Sequence, residues 1–287
     1  MSFAISTDTS ANLPTAELQW HQLYLLPFSY IVDDVEHQCL DLTAFDGDAY
    51  YEMLRHTPAS TSMISMDQYR RLWEPLLQEG QDVLHVGMSS GISGAYQSAV
   101  MAARELREAY PDRRLVVFDT RAASLGEGIQ VLHAATCREA GYTLDETVRE
   151  LTELRPRIRQ IFTVDDLMYL KRGGRISAAT ALVGTMLKVK PVLHVDNEGH
   201  LINMFKVRGR KASLEAIANK LGELGGNYDN STVFICHGDC IEDAKYVENI
   251  LKTKYGVKEV LINYTGAVIG SHSGPGTMAV FFLGDHR

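Results

Sequence analysis

A chain of 287 residues is about twice the length of an ordinary domain of about 100–150 residues, so two domains are the first expectation. Its 45% apolar and 22% charged residues exclude a disordered or collagen-like chain, and 28 basic against 36 acidic side chains (net charge −8) exclude a wide phosphate-backbone footprint. No nucleic-acid partner is therefore expected.

Phe3 to Thr7 is a short strand-like run ending in Asp8-Thr9-Ser10, and Leu23 to Val32 is a second β-prone stretch. Asp48 to Arg55 and Met66 to Glu79 read as helices, and Asp82 to Gly87 as a buried strand. The loop Met88-Ser89-Ser90-Gly91-Ile92-Ser93-Gly94 follows. From Ala95 the apolar positions Ala99, Ala102, Leu106 and Ala109 recur at three- and four-residue steps, the spacing of one helical face. Leu115 to Phe118 and the helical stretch Ala122 to Ala140 repeat this strand, loop and helix order, which implies a parallel sheet. Thr143 and Glu146 stand at capping-box spacing at the start of a further helix ending at Leu154.

The pattern changes near Arg155-Pro156-Arg157. Ile161 to Val164 is a strand, and the two β-prone runs Lys190–Val195 and His200–Val207 flank the turn Asp196-Asn197-Glu198-Gly199 as a hairpin. Lys211 to Leu224 and the amphipathic run through Ile241, Ala244, Val247 and Leu251 are helical. Val233 to Cys236, Val260 to Ile262 and Met278 to Phe282 are strands, the last two joined by a glycine-rich loop. The expected fold is α/β with two domains: residues 1–157 with a mainly parallel sheet and flanking helices, and residues 158–287 with a mixed sheet and helices.

The start of the chain, Met1 to Asp8, has no basic n-region or apolar h-region, and no segment reaches the 18 uninterrupted apolar residues of a membrane span; a soluble cytoplasmic protein is expected. Cys39, Cys137, Cys236 and Cys240 are too few and too scattered for a disulfide framework, so reduced thiols are expected.

The Ser89–Gly94 loop lies beyond the carboxyl end of a strand and at a helix N-terminus, where an open α/β sheet places its ligand. Unpaired N–H groups, the helix dipole and the Ser93 hydroxyl suit a carboxylate or phosphate, although Ser93 also reads as a simple helix cap. Gly91-Ile92-Ser93-Gly94-Ala95 is not a nucleophile elbow, because Ala95 stands where the second glycine belongs, and the sequence places neither His272 nor His85 beside Ser93. In the hydroxyl-rich run Ala59 to Ser65, Ser65 is a natural N-cap. Arg172-Gly173-Gly174-Arg175 and Arg208-Gly209-Arg210 are candidate anion or acidic-partner sites. Cys236-His237-Gly238-Asp239-Cys240 lacks the second pair of a metal site, so no metal is expected, and neither an ATP loop nor a dinucleotide fingerprint is present.

Several short motifs, in order along nearly the whole chain, resemble the DegV family, the fatty-acid-binding FakB subunits of bacterial fatty acid kinase. They are Thr7 to Leu13, Thr61-Ser62, Ser89 to Ala99, Leu170 to Ile176, Lys190-Pro191 and His272 to Thr277. The resemblance implies two α/β domains with a long-chain fatty acid between them, its carboxylate at the interface and its acyl chain buried. Thr61, Ser62, Ser93, Gly94 and His272 match the ligand-binding positions. Arg172, Arg175 and Arg208 match basic residues serving phosphoryl transfer or partner docking.

The implied role is non-catalytic: no catalytic residue and no cofactor, a fatty acid as ligand, an ATP-dependent kinase subunit as partner, and transient contact with a membrane surface. Met63-Ile64 replaces a common Gln-Pro, and Ala95 a common Thr, changes that bear on loop shape and ligand selectivity. The rival readings are a stand-alone serine hydrolase using Ser93 and a non-enzymatic regulatory or interaction protein.

Overall fold

The structure is a computed structural model that describes residues 3–177 and 188–285. Strands β1 (Ala4–Asp8), β2 (Leu23–Leu26), β6 (Val83–Gly87) and β7 (Leu115–Asp119) form a four-stranded sheet in the order β2-β1-β6-β7, with every pair parallel. Parallel strands need crossovers, and the helices Met66–Gln78, Ala95–Ala109 and Leu125–Glu139 supply the layers that bury this sheet. Trp73, Tyr69 and the alanine face of Ala95–Ala109 cover one side. Val131, Ala134 and Ala135 of Leu125–Glu139 cover the other.

The loops after β1, β6 and β7 all leave from the same edge, because Gly87 is in register with Asp119 and Ser6 with His85.

The Leu23–Val32 stretch is two strands. Pro27 follows β2, and β3 (Ser29–Val32) belongs to a separate antiparallel sheet, β4-β3-β5, with β4 (Val35–Gln38) and β5 (Ser60–Ser62). The two-residue turn Asp33-Asp34 has positive φ at both positions (48° and 61°), the backbone of a tight hairpin. Residues 60–62, expected as loop, are therefore a strand, and Thr61 is fixed in register opposite Tyr30. Ser65 caps the following helix in a full capping box with Gln68, as Thr143 does with Glu146.

The six-stranded sheet runs β10-β9-β8-β13-β11-β12, built from β8 (Ile158–Thr163), β9 (Val189–Val195), β10 (Leu201–Arg208), β11 (Thr232–His237), β12 (Glu259–Tyr264) and β13 (Met278–Leu283). It is mixed, as expected: β11 and β12 are parallel and the other neighbours antiparallel. Successive residues of a strand point to opposite faces, and here both faces are buried. Met278, Val280 and Phe282 pack with the helices Arg210–Leu224 and Ile241–Tyr255, whereas Ala279, Phe281 and Phe162 join the core of the first sheet.

The β9–β10 turn docks on the loops of the first sheet. Ser89 Oγ donates to the Gly199 carbonyl at 2.9 Å, and Arg121 donates to the Asn197 carbonyl at 2.6 Å. Gly199 has φ +83°, and a β-carbon there would lie 2.0 Å from Ser89 Oγ, so only glycine permits this approach.

Two carboxyl groups are wholly buried beneath these loops. Ser10 Oγ lies 2.5 Å from Asp8 Oδ1 and 2.6 Å from Glu127 Oε2. One hydroxyl proton serves only one of those contacts, so the other requires a proton on one of the two carboxyls. Burial, and then the Asp8 charge, push the Glu127 carboxyl well above its ordinary range, and burial also raises Asp8. A carboxyl whose folded pKa is raised contributes stability that is complete below its unfolded pKa and is lost as pH rises through the folded value.

Glu127→Gln, which keeps a neutral donor, should remain folded and flatten the fall of Tm with rising pH. Glu127→Ala should cost about 1–3 kcal/mol by leaving buried polar groups unpaired. An unchanged pH slope in Glu127→Gln, measured by thermal melts across the pH range, would contradict this assignment.

Candidate functional site

A cavity of about 290 Å³ lies where the loops of the first sheet meet the inner face of the second, close to the lower end of the usual range of about 300–1,000 Å³ for small-molecule sites. Its wall is mainly apolar, with Phe28, Met88, Ile92, Phe162, Val268 and Phe281 prominent. Thr61, Ser93, Gly94, Arg175 and His272 also line it, so the structure brings together five residues singled out from four distant stretches of sequence.

Thr61 Oγ1 lies 2.7 Å from His272 Nε2. The strand β5 holds the first and the helix Ala267–Ser273 the second, an element where only loop was expected. Aromatic residues clamp the start of that helix and its approach: Tyr50 OH donates to the Ala267 carbonyl at 2.7 Å, and Tyr51 OH to the carbonyl of Thr265, two residues before it, at 2.7 Å. Burial, and next the positive charge of Arg175, push the His272 pKa down to about 4. The imidazole is thus neutral at neutral pH, with one donor and one acceptor nitrogen.

Arg172-Gly173-Gly174-Arg175 closes the helix Leu167–Arg172. A β-carbon on Gly173 would lie 2.1 Å from His272 Nδ1, so this glycine gives the imidazole its place. Gly174 turns the chain at φ +73°, and Arg175 is then half-buried, its guanidinium donating to the Gly173 carbonyl. The Arg172 guanidinium lies over the Tyr169 ring, 5.2 Å from its centroid.

A second, open depression of about 570 Å³ adjoins the cavity. Asp33, Asp34, Tyr169 and Arg172 line it, and Thr61, Arg175 and His272 line both spaces. Those three side chains therefore form the boundary between a mainly apolar chamber and a polar vestibule.

Ser93 is buried, and its Oγ accepts from Ala95 N at 3.2 Å, so it serves the helix start as well as lining the cavity. His272 is bonded to Thr61, and His85 Nδ1 is 3.1 Å from Ser6 Oγ in the core, so neither of the histidines considered as a base for Ser93 is in that role. Ser62 sits in β5 opposite Ser29 and does not line the cavity. Arg208 is exposed at the end of β10 and lines neither space; Arg210 instead pairs with Asp165 and Asp243. Among the described residues there is no metal-binding cluster and no helix long and apolar enough to cross a membrane. Ser124, Gln160 and Thr265 also line the cavity and carried no signal in the sequence.

The chain matches the family described as uncharacterised protein, DegV family, over residues 2–285. It belongs to the DegV family. A DegV domain-containing protein of Clostridium perfringens is 39% identical over 286 residues, covering 99% of this chain and 98% of that protein. The fold is similar to that of a DegV family protein from Thermus thermophilus whose structure concerns fatty acid binding, with a TM-score of 0.88 and 29% identity over 99% of this chain and 100% of the other. It is also similar to DegV of Bacillus subtilis, described as a fatty acid binding protein, with a TM-score of 0.84 and 30% identity over 99% and 100% of the two chains. The α/β architecture, with its parallel sheet and its mixed sheet, is thus that of the DegV family.

Titration of His272, followed by NMR, should give a midpoint of about 4, and Arg175→Ala should move it upward by removing a neighbouring positive charge. A midpoint at the value of a free imidazole would contradict the buried, neutral assignment.

Proposed function

We propose that this protein binds a long-chain fatty acid, with its carboxylate at Thr61, Ser93 and His272 and its acyl chain in the apolar cavity, and presents it to a separate ATP-dependent kinase subunit. The observation that carries this reading is that Thr61, Arg175 and His272 line both the apolar cavity and the open vestibule. A molecule with one charged end and one long apolar end fits such a boundary. The tail gains about 0.8 kcal/mol for each buried CH₂, and hydroxyls, the Gly94 end of the helix Ala95–Ala109 and Arg175 stabilise the anion. The fatty-acid-binding description of the two structural relatives supports the same ligand class.

In the proposed reaction a carboxylate oxygen attacks the γ-phosphorus of ATP held by the kinase, the P–O bond to ADP breaks, and acyl phosphate and ADP result. The carrier contributes alignment and charge: Arg175 and Arg172 face the vestibule where phosphoryl oxygens would arrive, and a neutral His272 orients Thr61 without adding charge. Arg208, exposed and away from the cavity, fits the kinase-docking part of the role better than ligand contact. We assign residues 1–157 and 158–287 to two domains: the last strand of the parallel sheet ends at Asp119, and the mixed sheet begins at Ile158. A cytoplasmic location, with transient membrane-surface contact during lipid exchange, completes the proposal.

Thr61→Val and Ser93→Ala should each weaken fatty-acid binding by about tenfold to a hundredfold, the effect of one hydrogen bond to a charged group, and lower acyl-phosphate formation with the kinase. Binding is read by displacement of a fluorescent fatty acid, with thermal melts showing that the variants fold. Unchanged affinity and unchanged acyl-phosphate formation in both variants would overturn the proposal.

A further inference from the structure

An acyl chain alone makes no demand for polar groups deep in its cavity, yet one stretch of this wall carries three. Gln160 on β8, Ser124 at the start of the helix Leu125–Glu139, and Thr265 just beyond β12 all line the cavity, and all are at least nine-tenths buried. They are joined through the backbone and Asn12. Gln160 Oε1 accepts from Ala123 N at 3.1 Å, next to Ser124. Asn12 Nδ2 donates to Ser124 Oγ at 2.7 Å, and Asn12 Oδ1 accepts from Gly266 N at 3.2 Å, next to Thr265.

This arc is built for these side chains and leaves hydrogen-bonding capacity unused. A β-carbon on Gly126 would lie 2.5 Å from Gln160 Cδ, so the glycine makes room for the amide. The bond from Ala123 N fixes Oε1 and with it the plane of the amide. Nε2 has two N–H groups and one long contact, 3.5 Å to the Arg121 carbonyl, at the limit of a hydrogen bond. Thr265 Oγ1 is buried with no hydrogen-bond partner among the described residues. Ser124 has φ 56° and ψ −145°, a backbone region nearly confined to glycine that persists only where its surroundings hold it. A buried unpaired donor or acceptor is unfavourable unless something fills it.

We propose that Gln160 and Thr265 form a second polar subsite that recognises an oxygen atom carried on the acyl chain, so that the preferred ligand class is a mid-chain hydroxy or oxo fatty acid; Ser124, whose hydroxyl accepts from Asn12 and donates to Cys236 Sγ at 3.3 Å, holds the wall beside them. The inference rests on the fatty-acid reading above and deepens it. Five helical steps of about 1.5 Å, roughly 7.5 Å along the axis, separate His272 from Ala267, and Thr265 stands two residues before that helix, so the recognised oxygen lies partway along the chain rather than at the carboxylate. Gln160 Nε2 would donate to a hydroxyl or keto oxygen, and a hydroxyl would in turn donate to Thr265 Oγ1.

The test compares stearic acid with its positional mid-chain hydroxy derivatives by competition against a fluorescent fatty acid, using the full-length wild-type protein, Gln160→Leu and Thr265→Val. The wild type should bind at least one hydroxy isomer about tenfold more tightly than stearic acid, the effect of filling one buried hydrogen-bonding position. Gln160→Leu should abolish that preference while binding stearic acid at least as well. Thr265→Val, nearly the same shape, should reduce the preference if Gln160→Leu fails to fold. Equal or tighter binding of stearic acid than of every hydroxy isomer by the wild type, or a preference unchanged in the variants, would overturn the subsite and leave the fatty-acid reading standing. Binding of neither class by the wild type would overturn the fatty-acid reading and the subsite with it.

Discussion

Along β13 the side chains divide strictly by parity: Met278, Val280 and Phe282 enter one core, while Ala279 and Phe281 enter another. A sheet buried on both faces must have a second layer on its inner side, and here that layer is the helix Leu125–Glu139 together with the loops at the carboxyl edge of the parallel sheet. Loops carry unpaired polar groups and do not pack as densely as a helix against a sheet. The space left between an apolar sheet face and a rim of loop hydroxyls is the cavity. Its position, its apolar floor and its polar mouth all follow from this one packing arrangement.

The mouth is a problem in electrostatics. A carboxylate drawn from water needs donors and compensating charge, and burial of the His272 imidazole beside Arg175 keeps the positive charge on the arginine alone. Arg175 is anchored by the Gly173 carbonyl, and Gly173 is small enough for His272 to stand against it. Charge and shape at the mouth are therefore set by one four-residue motif acting on a helix about a hundred residues later in the chain.

Local patterns made part of this legible in the sequence. The three- and four-residue spacing after Ala95 and the strand before it put Ser93 at the carboxyl end of a parallel strand, where it stands. The Thr143 to Glu146 spacing is a local contact, and it forms as read. The fold class and the β9–β10 hairpin were equally visible, since each depends on alternation or turn residues within one segment. What escaped was set by distant partners. Thr61 is extended because Tyr30 pairs with it, and the Ala267–Ser273 helix forms in a glycine-containing run where Tyr50 holds the Ala267 carbonyl and Tyr51 the Thr265 carbonyl just before it. The RGGR motif read as a basic patch, but the reason for Gly173 lies at His272. Gln160 was invisible as a cavity residue because it stands just before the run Ile161 to Val164 that reads as a strand, and nothing in that run tells which face meets a void.

The most direct test of the central claim, that the cavity holds an acyl chain with its acid group at the Thr61 and His272 mouth, is a crystal structure of the protein loaded with a fatty acid. The account requires the carboxylate within hydrogen-bond distance of Thr61 and Ser93, with the chain running inward past Phe162 and Phe281. A carboxylate bound at the Gln160 end, or a lipid bound elsewhere with the cavity empty, would contradict it.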